Sequence, residues 1–272
     1  MSSSGPETLP APAPTLWWAR VHAALMPDYN RQAAAYWWLM VAAGVGACIH
    51  ALGWLTQQTP SVAAQVLVGM AIAMGAGIFP VRVPHSTHSF AAGETFIFLL
   101  LLMHGPQAAL LAAAGEAAVG SYRTSKRWTS RLASPAMAAL AMWAAGTVFA
   151  AGEQALGPQR LDHGGGLLVV MAMLFALGYF FCNTLLVTAV ARLKRRQWWR
   201  ASDLLGVFGW VGIAYAGSGA MAVLLYLTYL QSGLGVLAAT VPLLAMLLAT
   251  LHYFFRQQEV ADAVRRSSAE AA

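Results

Sequence analysis

The chain has 272 residues, of which 59% are hydrophobic and only 10% charged, and its formal net charge is +6. A soluble domain carries about 25% charged residues, so this sequence has too few charges to cover a core in water. The basic excess lies in short loops between apolar blocks, so it does not indicate a nucleic-acid partner. The lipid bilayer is the expected partner instead.

In chain order, the start MSSSGPETLPAPAPT is polar and rich in Ser and Pro, with no signal-peptide pattern. Residues 1–35 are expected to be a cytoplasmic, largely disordered arm. Apolar blocks then predict helices at 36–56, 61–79, 91–104, 106–122, 132–152, 166–191, 204–230 and 233–255. Each must be helical, because lipid offers the backbone no hydrogen-bond partner. Pro60, Pro80, Pro84, Gly105-Pro106, Gly157-Pro158 and Gly164 to Gly166 separate the blocks. Trp37, Trp38, Trp54, Trp128, Trp198 and Trp199 flank them as headgroup anchors would. Residues 256–272 form a cytoplasmic, helix-prone stub. A homodimer through an extension of that helix is one option, although the stub has no heptad hydrophobics of its own. The fold class is therefore all-α: a polytopic transmembrane bundle of about eight spans, with 36–255 as its membrane domain.

Lys and Arg accumulate on the cytoplasmic side of membrane proteins. With the N-terminus inside, Arg20, Arg31, Arg82, Arg123, Lys126, Arg127, Arg131, Arg192, Lys194, Arg195, Arg196, Arg200, Arg256, Arg265 and Arg266 all fall inside. Only Arg160 falls outside. Both termini are thus expected in the cytoplasm. The blocks 91–104 and 106–122 are short, reaching roughly 20–25 Å each. They form either two short spans, the favoured reading, or a re-entrant hairpin; the flanking charges are the same for both.

An ionisable residue inside a span is a functional-site hypothesis by default. Glu94 and Glu116 each lie 11 residues from Gly105, one before and one after. In a hairpin turning at Gly105 both would sit about 16 Å from the turn, at one depth. If they meet, the two carboxylates would share a proton, bind a cation or take a cationic ligand. The alternative is that each points separately into the bundle, protonated or hydrogen-bonded. Ahead of the hairpin, PVRVPHSTHSF (80–90) is expected to be extended, and it carries His85 and His88. These histidines join the acids as candidate ligand-binding residues, without the ligand spacing of a metal site. Asn183 and Thr184 are a polar pair in an apolar helix, suited to gluing helices together or touching a ligand. The glycines of GWVGIAYAGSG (209–219) permit close helix packing. Cys48 and Cys182 read as small hydrophobes. No catalytic motif, cofactor or metal is expected: there is no Walker sequence, no Gly-x-Ser-x-Gly and no helical His-Glu-x-x-His.

Three stretches carry a resemblance. SFAAGETFIFLLLLMHGPQAALLAAAGEAAVGSYRTSKRW (89–128), GYFFCNTLLVTAVARL (178–193) and VPLLAMLLATLHYFFRQQEVADAVRR (241–266) together resemble the membrane-associated sensor regions found ahead of HD-GYP phosphodiesterase and GGDEF cyclase domains in bacteria. Ser134-Pro135 departs from the Asn expected after the basic loop. The resemblance implies a non-enzymatic signal-input module in cyclic-di-GMP signalling, relaying an unidentified signal through its last helix to a cytoplasmic partner or effector domain. About 17 residues follow the last span where such a domain would begin, so the chain is expected to be a stand-alone relative or part of a longer protein. More distantly, the helix, Gly-Pro, small-residue helix order resembles the substrate-binding membrane subunits of energy-coupling-factor transporters. That likeness implies small-molecule binding.

Overall fold

The computed structural model describes residues 26, 28–78, 81–82, 89–90, 93–157, 165–196 and 210–235, with isolated positions as far as 257. Among the described residues seven helices are formed: α1 Arg31–Thr56, α2 Pro60–Ala76, α3 Gly93–His104, α4 Pro106–Thr124, α5 Trp128–Leu156, α6 Gly166–Arg195 and α7 Trp210–Ser232. One two-residue antiparallel pair joins β1 (Val81–Arg82) to β2 (Ser89–Phe90). The extended character expected for 80–90 is present at both ends of that segment. The arm residues 1–25, the start of the seventh predicted span (204–209), most of the eighth (233–255) and most of the stub lie outside the described residues.

Four helices, Arg31–Thr56, Trp128–Leu156, Gly166–Arg195 and Val211–Ser232, are long and apolar enough to cross a membrane. The other described helices are shorter. At 12 residues, α3 reaches about 18 Å, well short of a ~30 Å hydrocarbon layer. Every residue from Gly93 to Leu101 is nonetheless buried, so α3 is surrounded by protein on all sides. It packs against α2, α4 and α7, while α4 packs on α5, α2 and α1. The longer α5 and α6 lie against each other, and α6 supports α7. Aromatic rings fill the centre: Phe98 meets Phe175 edge-on at 5.2 Å, and Phe149 lies 5.4 Å from Phe175.

Local chemistry sets the helix ends. Asn30 caps α1, its side chain accepting from the Ala33 N–H at 2.8 Å. The helix therefore starts at Arg31, five residues before the predicted start of the first span. Thr59 caps α2 ahead of Pro60, which suits a first helical position because its missing N–H is not needed there. Arg192, Lys194 and Arg195 occupy the last turn of α6, where cations favour the negative end of the helix dipole.

Trp37 differs from its expected role as a headgroup anchor. It is fully buried, stacks edge-on against Trp38 and Trp128, and donates its indole N–H to the Thr129 carbonyl at 3.0 Å. A buried indole needs such an acceptor, and here it fastens α1 to α5. Trp38 is half-exposed, as an anchor should be.

Pro135 lies inside α5 without bending the account of the helix. It has no N–H to give the Arg131 carbonyl four residues back. The Ser121 hydroxyl of α4 lies 3.4 Å from that carbonyl and donates to it. The same hydroxyl lies 3.1 Å from the Ala118 carbonyl of its own helix, so it is shared between α4 and the carbonyl that Pro135 leaves free.

Candidate functional site

The α3–α4 hairpin turns at Gly105, with φ 88° and ψ −177°. That region is essentially reserved for glycine. Pro106 then opens α4. Because the two helices run back along each other, Glu94 and Glu116 come to one level, as their spacing from Gly105 suggests. Both line a single cavity of about 240 Å³. A Cβ placed on Gly93 would collide with Glu116 Oε1. The Glu116 carboxyl therefore lies against the backbone immediately before Glu94, a place only glycine leaves open.

Both acids are buried, at 5% and 8% relative exposure. The Tyr215 hydroxyl of α7 donates to Glu94 Oε1 at 2.7 Å. Glu94 Oε2 and Glu116 Oε1 are buried and have no hydrogen-bond partner among the described residues. Neither carboxylate forms an ion pair with a described residue. Such groups are costly unless something satisfies them.

Two tyrosines form the aromatic wall, with phenylalanines packed behind them. Tyr179 and Tyr215 both line the cavity. Their rings lie 6.1 Å apart, with Phe180 4.8 Å from Tyr215 and Phe98 5.9 Å from Tyr179. Asn183, Ser121 and Ser134 add neutral polar groups. Arg123, Thr124 and Val187 line the cavity and are exposed, so they form its mouth above a buried floor of acids and tyrosines. The Arg123 guanidinium donates to the Ile78 carbonyl, which holds it at the rim. The site is a short funnel, acidic at its floor and opening beside the basic loop that follows α4.

Of the residues expected from sequence, Glu94, Glu116 and Asn183 come together here. Thr184 is not among the lining residues, since a helix turns about 100° per residue and carries it to another face. His85 and His88 lie outside the described residues. Tyr179 was open to discovery, because it sits four residues before Asn183 and so on the same helical face. Tyr215 was not: it lies 121 residues from Glu94, and only the fold joins them.

A second cavity, of about 340 Å³, lies between α2 and α3. Its lining is almost wholly apolar, with Gln65 and His104 as its polar side chains. No family model, curated protein or solved structure matches this chain.

Proposed function

We propose that this chain is a signal-input module of the bacterial inner membrane. It crosses the bilayer about eight times with both termini in the cytoplasm, the arrangement favoured by the distribution of Lys and Arg. It binds a small ligand in the cavity floored by Glu94 and Glu116. Occupancy is relayed through α7 and the span after it to a cytoplasmic partner or effector domain of the cyclic-di-GMP type.

The observation that carries this reading is the buried hydrogen bond from Tyr215 to Glu94. It ties the hairpin to α7, the helix that leads into the C-terminal segment. A ligand competing for Glu94 would change that bond, so the two states of the site differ at a point α7 feels directly. The test is a reporter cyclase fused after Arg266, in cells, with Tyr215→Phe and Glu94→Gln. Each is expected to shift reporter output by about fivefold or more, the low end of ordinary coupling energies. Unchanged output from both, in protein shown to be folded and membrane-inserted, would remove the relay.

The apolar cavity by α2 and α3 favours a second reading: a small-molecule-binding subunit of a transporter. It lies by the Gly105 turn, which faces outward in the proposed orientation. A vitamin-like apolar molecule retained through purification, detected by mass spectrometry, would support that reading. Purified protein carrying none, with no partner ATPase, would count against it.

A further inference from the structure

The floor of the funnel contains two buried carboxylate oxygens that nothing in the described protein satisfies, Glu94 Oε2 and Glu116 Oε1. Both belong to residues more than nine-tenths buried, and both residues open on the same cavity. The remaining floor is aromatic, from Tyr179 and Tyr215. Acceptors without donors, next to π faces, call for a cation with N–H groups.

We infer that this cavity is a receptor site for a compact primary ammonium. Its N–H donors pair with Glu94 Oε2 and Glu116 Oε1, and its alkyl portion lies along Tyr179 and Tyr215. The inference rests on reading the cavity as the module's ligand site, and it adds the ligand's chemical class. One ammonium, with one of the two carboxyls protonated, brings the floor to neutrality.

Size and donor set both favour this class. A cavity of about 240 Å³ has the volume of roughly eight waters at ~30 Å³ each. That is too small for a drug-sized molecule and too large for a bare ion. A hard divalent cation draws six or more oxygens to about 2.3–2.6 Å. Among the described residues, no three His, Cys, Asp or Glu side chains come together to begin such a shell. Arg123 does not supply the missing charge, because its guanidinium is turned to the Ile78 carbonyl at the rim.

The experiment uses the full chain purified in detergent micelles, with n-butylamine as the probe and butan-1-ol as its neutral counterpart of similar size. Calcium chloride and sodium chloride are the metal arms, and binding is read by calorimetry. The ammonium is expected to bind at least about tenfold tighter than the alcohol, since a hydrogen bond to a charged group outweighs a neutral one by about that factor. Glu94→Gln and Glu116→Gln are each expected to weaken ammonium binding about tenfold or more while leaving any alcohol binding unchanged.

Equal binding of alcohol and ammonium would overturn the inference, reducing the cavity to an apolar void. Calcium or sodium binding in place of the ammonium would overturn it in favour of a metal site. No binding by any cation would overturn it as well, leaving the two acids as buried groups held neutral by protonation. The comparison of amine with alcohol needs no variant, so it decides the matter even if a Gln variant fails to fold. Binding without a reporter response would keep the ammonium site and lose the relay. A reporter response without ammonium binding would do the reverse.

Discussion

Helices α1 and α3 are both apolar, and they are apolar for opposite reasons. In α1, 26 residues long, burial is confined to Ala33, Ala34, Trp37, Val41, Gly44 and Ala51, a single stripe. Leu39 and Ile49 point away from the bundle, at 62% and 64% exposure. In α3, less than half that length, nine consecutive residues are buried. The first helix leaves most of its apolar surface outside the bundle, as a helix facing lipid would. The third is hydrophobic because from Gly93 to Leu101 it meets protein on every side. Burial on every side gives Glu94 protein neighbours all round, and the candidate site lies where α3 meets Glu116 of α4 and Tyr215 of α7.

The sharpest way to break this contrast is to truncate one side chain in each helix. Phe98 is 1% exposed and is packed among Phe175, Tyr179 and Tyr215. Phe98→Ala is expected to destabilise the protein by about 3–5 kcal/mol, through lost transfer energy and the cavity left behind. Ile49→Ala on the open face of α1 is expected to stay within about 0.5 kcal/mol. Denaturant unfolding of both variants in one detergent measures the difference. Equal losses would mean that α3 is not the central helix.

A smaller effect tests the stripe of α1 itself. A Cβ on Gly44 would stand 2.5 Å from the Ala136 carbonyl oxygen, whereas one on Gly46 would meet nothing within 4 Å. Gly44→Ala must push α1 away from α5, an overpacking expected to cost about 1–3 kcal/mol. Gly46→Ala, on the lipid face, is expected to be neutral or slightly stabilising, by up to about 1 kcal/mol of helix propensity. Thermal unfolding of the pair sharpens the comparison. If Gly46→Ala were the more damaging, the buried stripe would be on the wrong side.

The contrast also explains what the sequence could convey. Hydropathy and breakers located the helical blocks, because lipid and protein interiors both require apolar side chains. For the same reason they could not tell α1 from α3. The Gly105-Pro106 turn and the equal spacing of Glu94 and Glu116 foretold their common level, since rise per residue converts spacing directly into depth. Rotation about the helix axis is not carried by spacing, so a meeting of the acids at one cavity could only be posed as a question. Trp37 was misplaced as an anchor because its partner, the Thr129 carbonyl, is a backbone atom 92 residues away. Tyr215 escaped notice for a similar reason: its glycine-rich surroundings speak of close packing and say nothing of Glu94.

The smallest effect concerns what fastens the N-terminal end of α1. Asp28 and Arg127 form an ion pair at 2.7 Å, but their side chains are 52% and 66% exposed. An exposed pair of this kind contributes about 0–1 kcal/mol, because water and salt screen it and two flexible side chains must be ordered to make it. The other attachments nearby are less exposed. Asn30 Nδ2 donates to the Leu193 carbonyl, Tyr29 lies under the Lys194 ammonium at 4.2 Å, and Trp37 reaches Thr129 from a fully buried position. Asp28→Asn is therefore expected to lower stability by less than about 1 kcal/mol, with the difference vanishing in high salt. A larger loss that persisted in salt would mean that α1 is held to the bundle by charge at its end rather than by its buried stripe, and the distinction between the lipid-facing and protein-facing helices would then have to be drawn further down the chain.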